Sequence, residues 1–132
     1  MKTSKLLMAS PAIVLALLAP PAQADIYVIT NADGITAADV RDIFIGEKQV
    51  AGSVKLVPID NSALQAEFLS KVLKLNGAKY ETLWTKKSFR EGLNAPTVKG
   101  SDAEVLGTVK STPGAIGYVG TAPAGIKVIQ RY

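Results

Sequence analysis

Ile26-Tyr27-Val28-Ile29-Thr30, then Asn31-Ala32-Asp33-Gly34, then Thr36-Ala37-Ala38-Asp39-Val40-Arg41-Asp42-Ile43-Phe44-Ile45-Gly46 run in succession near the start of the chain. The first stretch is β-branched and aromatic with no polar alternation, which predicts a strand buried on both faces. The second is turn chemistry, where Asn, Asp and Gly adopt conformations that a strand cannot continue. The third opens as a capping box: the Thr36 hydroxyl serves the free N–H groups of a first helical turn, and the Asp39 carboxylate stands near the positive end of the helix dipole. Val40, Ile43 and Phe44 follow at helical spacing, and Gly46 supplies a left-handed stop, so a helix is expected from about Ala37 to Ile45. A buried strand that turns directly into an amphipathic helix begins an α/β layer.

Downstream the same alternation continues. Val54-Lys55-Leu56-Val57-Pro58-Ile59, after Gly52-Ser53, predicts a second strand; Pro58 has no N–H and must sit at its end or on an edge. Ser62 with Gln65 forms a second capping box before the apolar stripe Leu64, Phe68, Leu69, Val72, Leu73 and Leu75, which runs to Asn76-Gly77. Tyr80, Leu83, Trp84 and Phe89 are expected on the inner face of a third helix that ends before Gly92. Ser101 with Glu104 caps a fourth, through Val105, Leu106 and Val109 to Thr112-Pro113-Gly114. Ala115-Ile116-Gly117-Tyr118-Val119 and Ile126-Lys127-Val128-Ile129 are closing strands, joined as a hairpin or separated by a longer excursion. The order β-α-β-α-α-α-β-β predicts an α/β fold with a small mixed sheet flanked by helices.

Upstream, Lys2 and Lys5 precede an almost wholly apolar segment, Leu6 to Ala19, and Ala22-Gln23-Ala24 offers small residues where a signal peptidase reads them. Basic, apolar and small segments in that order predict a secretory signal over residues 1–24, with one domain over 25–132. The apolar segment is too short to span a bilayer, which takes roughly 20 residues, so no stable membrane insertion is expected after cleavage. No cysteine follows it to carry a lipid, and the expected location is the periplasm. Removing Lys2 and Lys5 halves the formal charge of +4. Lys86, Lys87 and Arg90 then remain as a solvated helix face without interleaved aromatics, so no nucleic acid is expected as a partner.

The chain has no cysteine and no histidine, which excludes thiol nucleophiles, disulfides, His or Cys zinc sites and a Ser-His-Asp triad. No phosphate loop, metal-ligand cluster or nucleophile elbow is present, and neither enzymatic activity nor a cofactor is expected. Asp60 is the best remaining candidate for a general base, against the plainer reading of a turn residue that helps to cap the next helix. Oxyanion binding has better support. Asp60-Asn61-Ser62-Ala63 carries the chain from a strand end into a helix whose first N–H groups are unpaired, a ready anion site, although Ser62 can equally cap its own helix. Gly100-Ser101-Asp102 offers a second such start, where Asp102 repels anions. Trp84 reads as core, and Tyr118 as core or binding surface.

Val40-Arg41-Asp42-Ile43-Phe44-Ile45-Gly46, Val57-Pro58-Ile59-Asp60, Phe68, Trp84 with Phe89, Gly92 and Pro96, and Pro113-Gly114-Ala115-Ile116-Gly117-Tyr118-Val119 occur in an order that resembles the phosphate-type solute-binding proteins of ABC importers, in particular their short single-lobe members. The resemblance implies one lobe of a type II periplasmic binding fold and phosphate or another small oxyanion as ligand. Contacts would come from Asp60, Asn61, Ser62 and Ala63, with an ABC transporter permease as partner. The length of a single lobe also motivates a homodimer that would rebuild a two-sided cleft. The chain departs from the family where Ala63 and Leu64 replace the Gly and Thr of the phosphate turn, and where no arginine precedes it. Those departures motivate an alternative, a periplasmic interaction or sensory module that docks on an envelope protein.

Overall fold

The computed structural model describes residues 25–132, and the expected export signal lies outside them. Strand β1 (Tyr27–Thr30) leads into helix α1 (Ala37–Phe44), with Thr36 and Asp39 closing the expected capping box. A short hairpin, β2 (Val50–Ala51) and β3 (Val54–Lys55), precedes β4 (Val57–Asn61). Helix α2 (Gln65–Phe68) continues into a π-helical turn, Leu69–Leu73, and is followed by α3 (Gly77–Glu91). The chain closes with β5 (Thr97–Lys99), α4 (Asp102–Ser111), β6 (Ala115–Val119) and β7 (Lys127–Arg131).

Five strands form one mixed sheet in the order β5-β4-β6-β1-β7. β4 runs parallel to both β5 and β6, whereas β1 is antiparallel to β6 and β7. The strands alternate their side chains between two apolar layers. On one face Val28, Ile116 and Tyr118 pack with Phe44 of α1, Phe68 of α2 and Tyr80 and Trp84 of α3. On the other, Ile29, Ile59 and Val119 pack with Val105 and Val109 of α4. The fold is therefore the expected α/β class, a small mixed sheet flanked by helices.

Several expectations need correction. The run Val54 to Ile59 is divided: Val54–Lys55 pairs with Val50–Ala51 around Gly52, a turn glycine at φ 62°, and only Val57–Asn61 joins the main sheet. Pro58 sits at the start of β4, before the pairing with β5 that begins at Ile59. Because the Val57 N–H bonds the Gly114 carbonyl, alternation directs the Pro58 nitrogen to the other flank, where no acceptor is lost. β6 and β7 are not a hairpin, since β1 lies between them. Strand β5 was not expected. Phe89 does not join the inner face of α3 and is 90% exposed. Five residues beyond Trp84 is about 140° round a helix from it, which takes Phe89 off the buried face.

Gly117 lets α4 approach the sheet closely. A Cβ there would stand 2.7 Å from a Val105 methyl group. Gly46 does two things at once, ending α1 at φ 80° and leaving room for the Trp84 ring, which a Cβ would meet at 2.9 Å. The Trp84 indole N–H donates to the Phe44 carbonyl at 3.1 Å, one of the free acceptors at the end of α1.

Candidate functional site

β4 leaves the sheet toward α2 and α3 on one face, while the neighbouring β5 leaves toward α4 on the other. Two parallel strands whose connections part in this way open a crevice at their carboxyl ends, where α/β folds most often bind ligands. Asp60, Asn61, Ser62 and Ala63 lie at this end of β4, and Gly100-Ser101 lies beside them at the end of β5. The Ser62 N–H donates to the Lys99 carbonyl at 2.9 Å, which brings together the two helix starts singled out in the sequence.

Asp60 is 1% exposed. Its two oxygens accept from the Tyr80 and Tyr118 hydroxyls, each at 2.8 Å, and the Gln65 side chain adds a third donor. Burial raises the carboxyl above its usual range, and the three donors offset that only in part. Both tyrosines are pushed up as well, first by burial and then by the Asp60 charge. With its oxygens engaged, Asp60 ties β4 to α3 and β6 and is not aimed at a reacting atom. Tyr118, fully buried, stacks on Phe68 at 3.8 Å between ring centroids, so it belongs to the core and not to a binding surface.

Asn61 is equally committed. Its amide donates to Asp102 Oδ1 at 2.9 Å and to the Tyr118 carbonyl at 3.1 Å, while its Oδ1 accepts from the Ala63 N–H. The other Asp102 oxygen accepts from the Gly120 N–H at 3.0 Å. Glu104 similarly takes the Gly100 N–H at 3.0 Å. Carboxylates of the chain itself thus hold donors at the crevice that an external anion would use. In the sequence Asp102 is only a charge that repels anions, because its distance along the chain from Asn61 and Gly120 gives no sign that it joins them.

Ser62 and Ala63 are exposed. Ser62 does not cap α2: Leu64 holds the cap position, and Gln65 turns to Asp60 instead of completing a capping box. The physical reason is that Asn61 and Ser62 remain bonded to the β5 strand, which delays the helix. The N–H groups of Ser62, Ala63 and Leu64 all have acceptors within the chain, so the free donors of this helix start belong to its first turn, Gln65, Ala66 and Glu67. The Ser62 hydroxyl stands at the surface before them. The second helix start behaves as expected, with Ser101 accepting from the Glu104 N–H. Among the described residues no three or more acidic side chains converge to hold a metal ion, and no helix is long and apolar enough to cross a membrane.

No protein-family model matches the sequence, and no curated protein matches it. Among solved structures the chain is similar to an ABC-type phosphate transport receptor from Vibrio cholerae, at 14% identity and a TM-score of 0.48 over 81% of this chain. The match spans 46% of that receptor's length.

Proposed function

We propose that residues 25–132 form an exported, non-enzymatic lobe of the solute-binding type, which holds phosphate or another small oxyanion at the crevice formed by the ends of β4 and β5. The observation that supports this reading is the parting of the β4 and β5 connections to opposite faces, with exposed Ser62 and Ala63 at that point. The Ser62 hydroxyl and the first-turn N–H groups of α2 make the contacts, while Asp60 and Asn61 hold the turn in place from within the core. Asp102 and Glu104 have claimed the adjacent donors, so binding by the wild-type chain is weak. Amide chemical shifts followed during a phosphate titration test it: saturable movement confined to Ser62 to Glu67 is expected, and movement nowhere in that segment counts against it. In the cell this lobe would serve an ABC importer, with the signal removed after Ala24.

A second reading rests on the same two carboxylates. A crevice whose donors are filled from inside has less need of a solute, which favours an interaction or sensory lobe that docks on an envelope protein. A homodimer would supply a second wall to the crevice. Light scattering of residues 25–132 with and without phosphate checks this, and a monomer in both conditions removes the dimer.

A further inference from the structure

A cavity of about 710 Å³ lies between α3 and the β5 edge of the sheet and reaches Asp60 and Gln65 beside the Ser62 turn. Its walls include Tyr80, Trp84 and Phe89 of α3 together with Val98 of β5. Phe89 and Val98 are 90% and 54% exposed, so the apolar surface is open to a ligand. The charged residues that line it are Asp60 and Glu81, and no lysine or arginine does so, although basic side chains outnumber acidic ones in the chain. An exposed Phe89 ring, backed by Tyr80 and Trp84 at 6% exposure each and set beside carboxylates, is chemistry that recognises an organic cation: a ring face attracts an ammonium group, and the carboxylates supply the opposite charge. The two carboxylates disfavour an anion there.

We infer that this groove is a binding site for a small organic monocation with an apolar body, an aryl or alkyl ammonium compound, adjoining the oxyanion crevice at Asp60 and Gln65. Exposed Glu81 supplies the direct charge contact, and buried Asp60, already bonded at both oxygens, adds its field from behind. Trp84 is the single tryptophan of the chain and lines this groove, so its emission responds to occupancy here; it also borders the cleft at Gly46 and Leu93, and the Phe89 and Glu81 variants, absent from that cleft, tell the two apart.

Titration of residues 25–132 with benzyltrimethylammonium, benzyl alcohol and benzenesulfonate, read by Trp84 fluorescence, tests the site. A saturable change is expected with the cation, a severalfold weaker one with the alcohol and none with the sulfonate. Phe89→Ala and Glu81→Gln each weaken cation binding by roughly threefold, the size of one partly solvated cation–π or charge contact. Both residues are exposed, so unchanged far-UV circular dichroism is expected to show that the variants fold. Equal binding of the alcohol or the sulfonate, indifference of the cation to both substitutions, or no saturable response up to the solubility limit would each overturn the inference.

Discussion

At the scale of single residues, Asp60 decides how the site is held. Its carboxylate receives a phenol from α3 and another from β6, so removing either hydroxyl leaves a buried acceptor short of a partner. Tyr80→Phe and Tyr118→Phe are each expected to lose about 1–2 kcal/mol in urea unfolding, with the m-value unchanged. The pH dependence follows from the raised carboxyl. A group that binds its proton more tightly when folded contributes stability below its ordinary value of 3.8 and loses that contribution as pH rises through the folded value. Compared with Asp60→Asn, the wild type should therefore lose stability as pH climbs from about 4 and then level off. A difference that grows in the wild type's favour over that window would mean that the donors outweigh burial. Gly117 belongs to this scale too, because its missing Cβ sets the spacing of α4 from β6. Gly117→Ala is expected to lower stability by about 1–3 kcal/mol in the same assay, as an overpacked contact does.

At the scale of elements, the turn between α2 and α3 is under the clearest strain. Lys74 ends the π-helical turn at φ 59°, a left-handed conformation that costs a side-chain-bearing residue roughly 1–2 kcal/mol, and it is exposed. Lys74→Gly is expected to raise stability, by about 0.5–1 kcal/mol after the greater freedom of unfolded glycine is counted, and thermal unfolding would register it as a higher Tm. How legible each element was depends on where its instructions lie. The α1 capping box and Gly46 stop are local, as is the Ser101 cap of α4, and all three were readable from a few adjacent residues. The Ser62 cap was misread because pairing with β5, over 30 residues away, overrides a local preference. The β2–β3 hairpin did have a signal, Val50-Ala51 and Val54-Lys55 on either side of Gly52-Ser53. Strand β5 had almost none: Thr97–Lys99 is three residues long and gains its conformation from β4. The candidate site was half legible: the strand end that carries Asp60 to Ala63 was readable, whereas the partners of Asp60 and Asn61 come from α3, β6 and α4.

At the scale of the whole molecule, one layer of helices lies on each face of the sheet, and the crevice arises where the connections change sides. On the proposed oxyanion reading, ligand capture there would be a contest between an external anion and the chain's own Asp102. That contest gives the most direct measurement: calorimetric titration of residues 25–132 with phosphate, sulfate and phosphonate, in the wild type, Ser62→Ala and Asp102→Gly. Weak saturable binding by the wild type is expected. It should vanish in Ser62→Ala and strengthen severalfold in Asp102→Gly, where the Asn61 amide and the Gly120 N–H are released to the ligand. Silence of all three proteins with every anion would contradict the oxyanion reading and leave the docking lobe in its place.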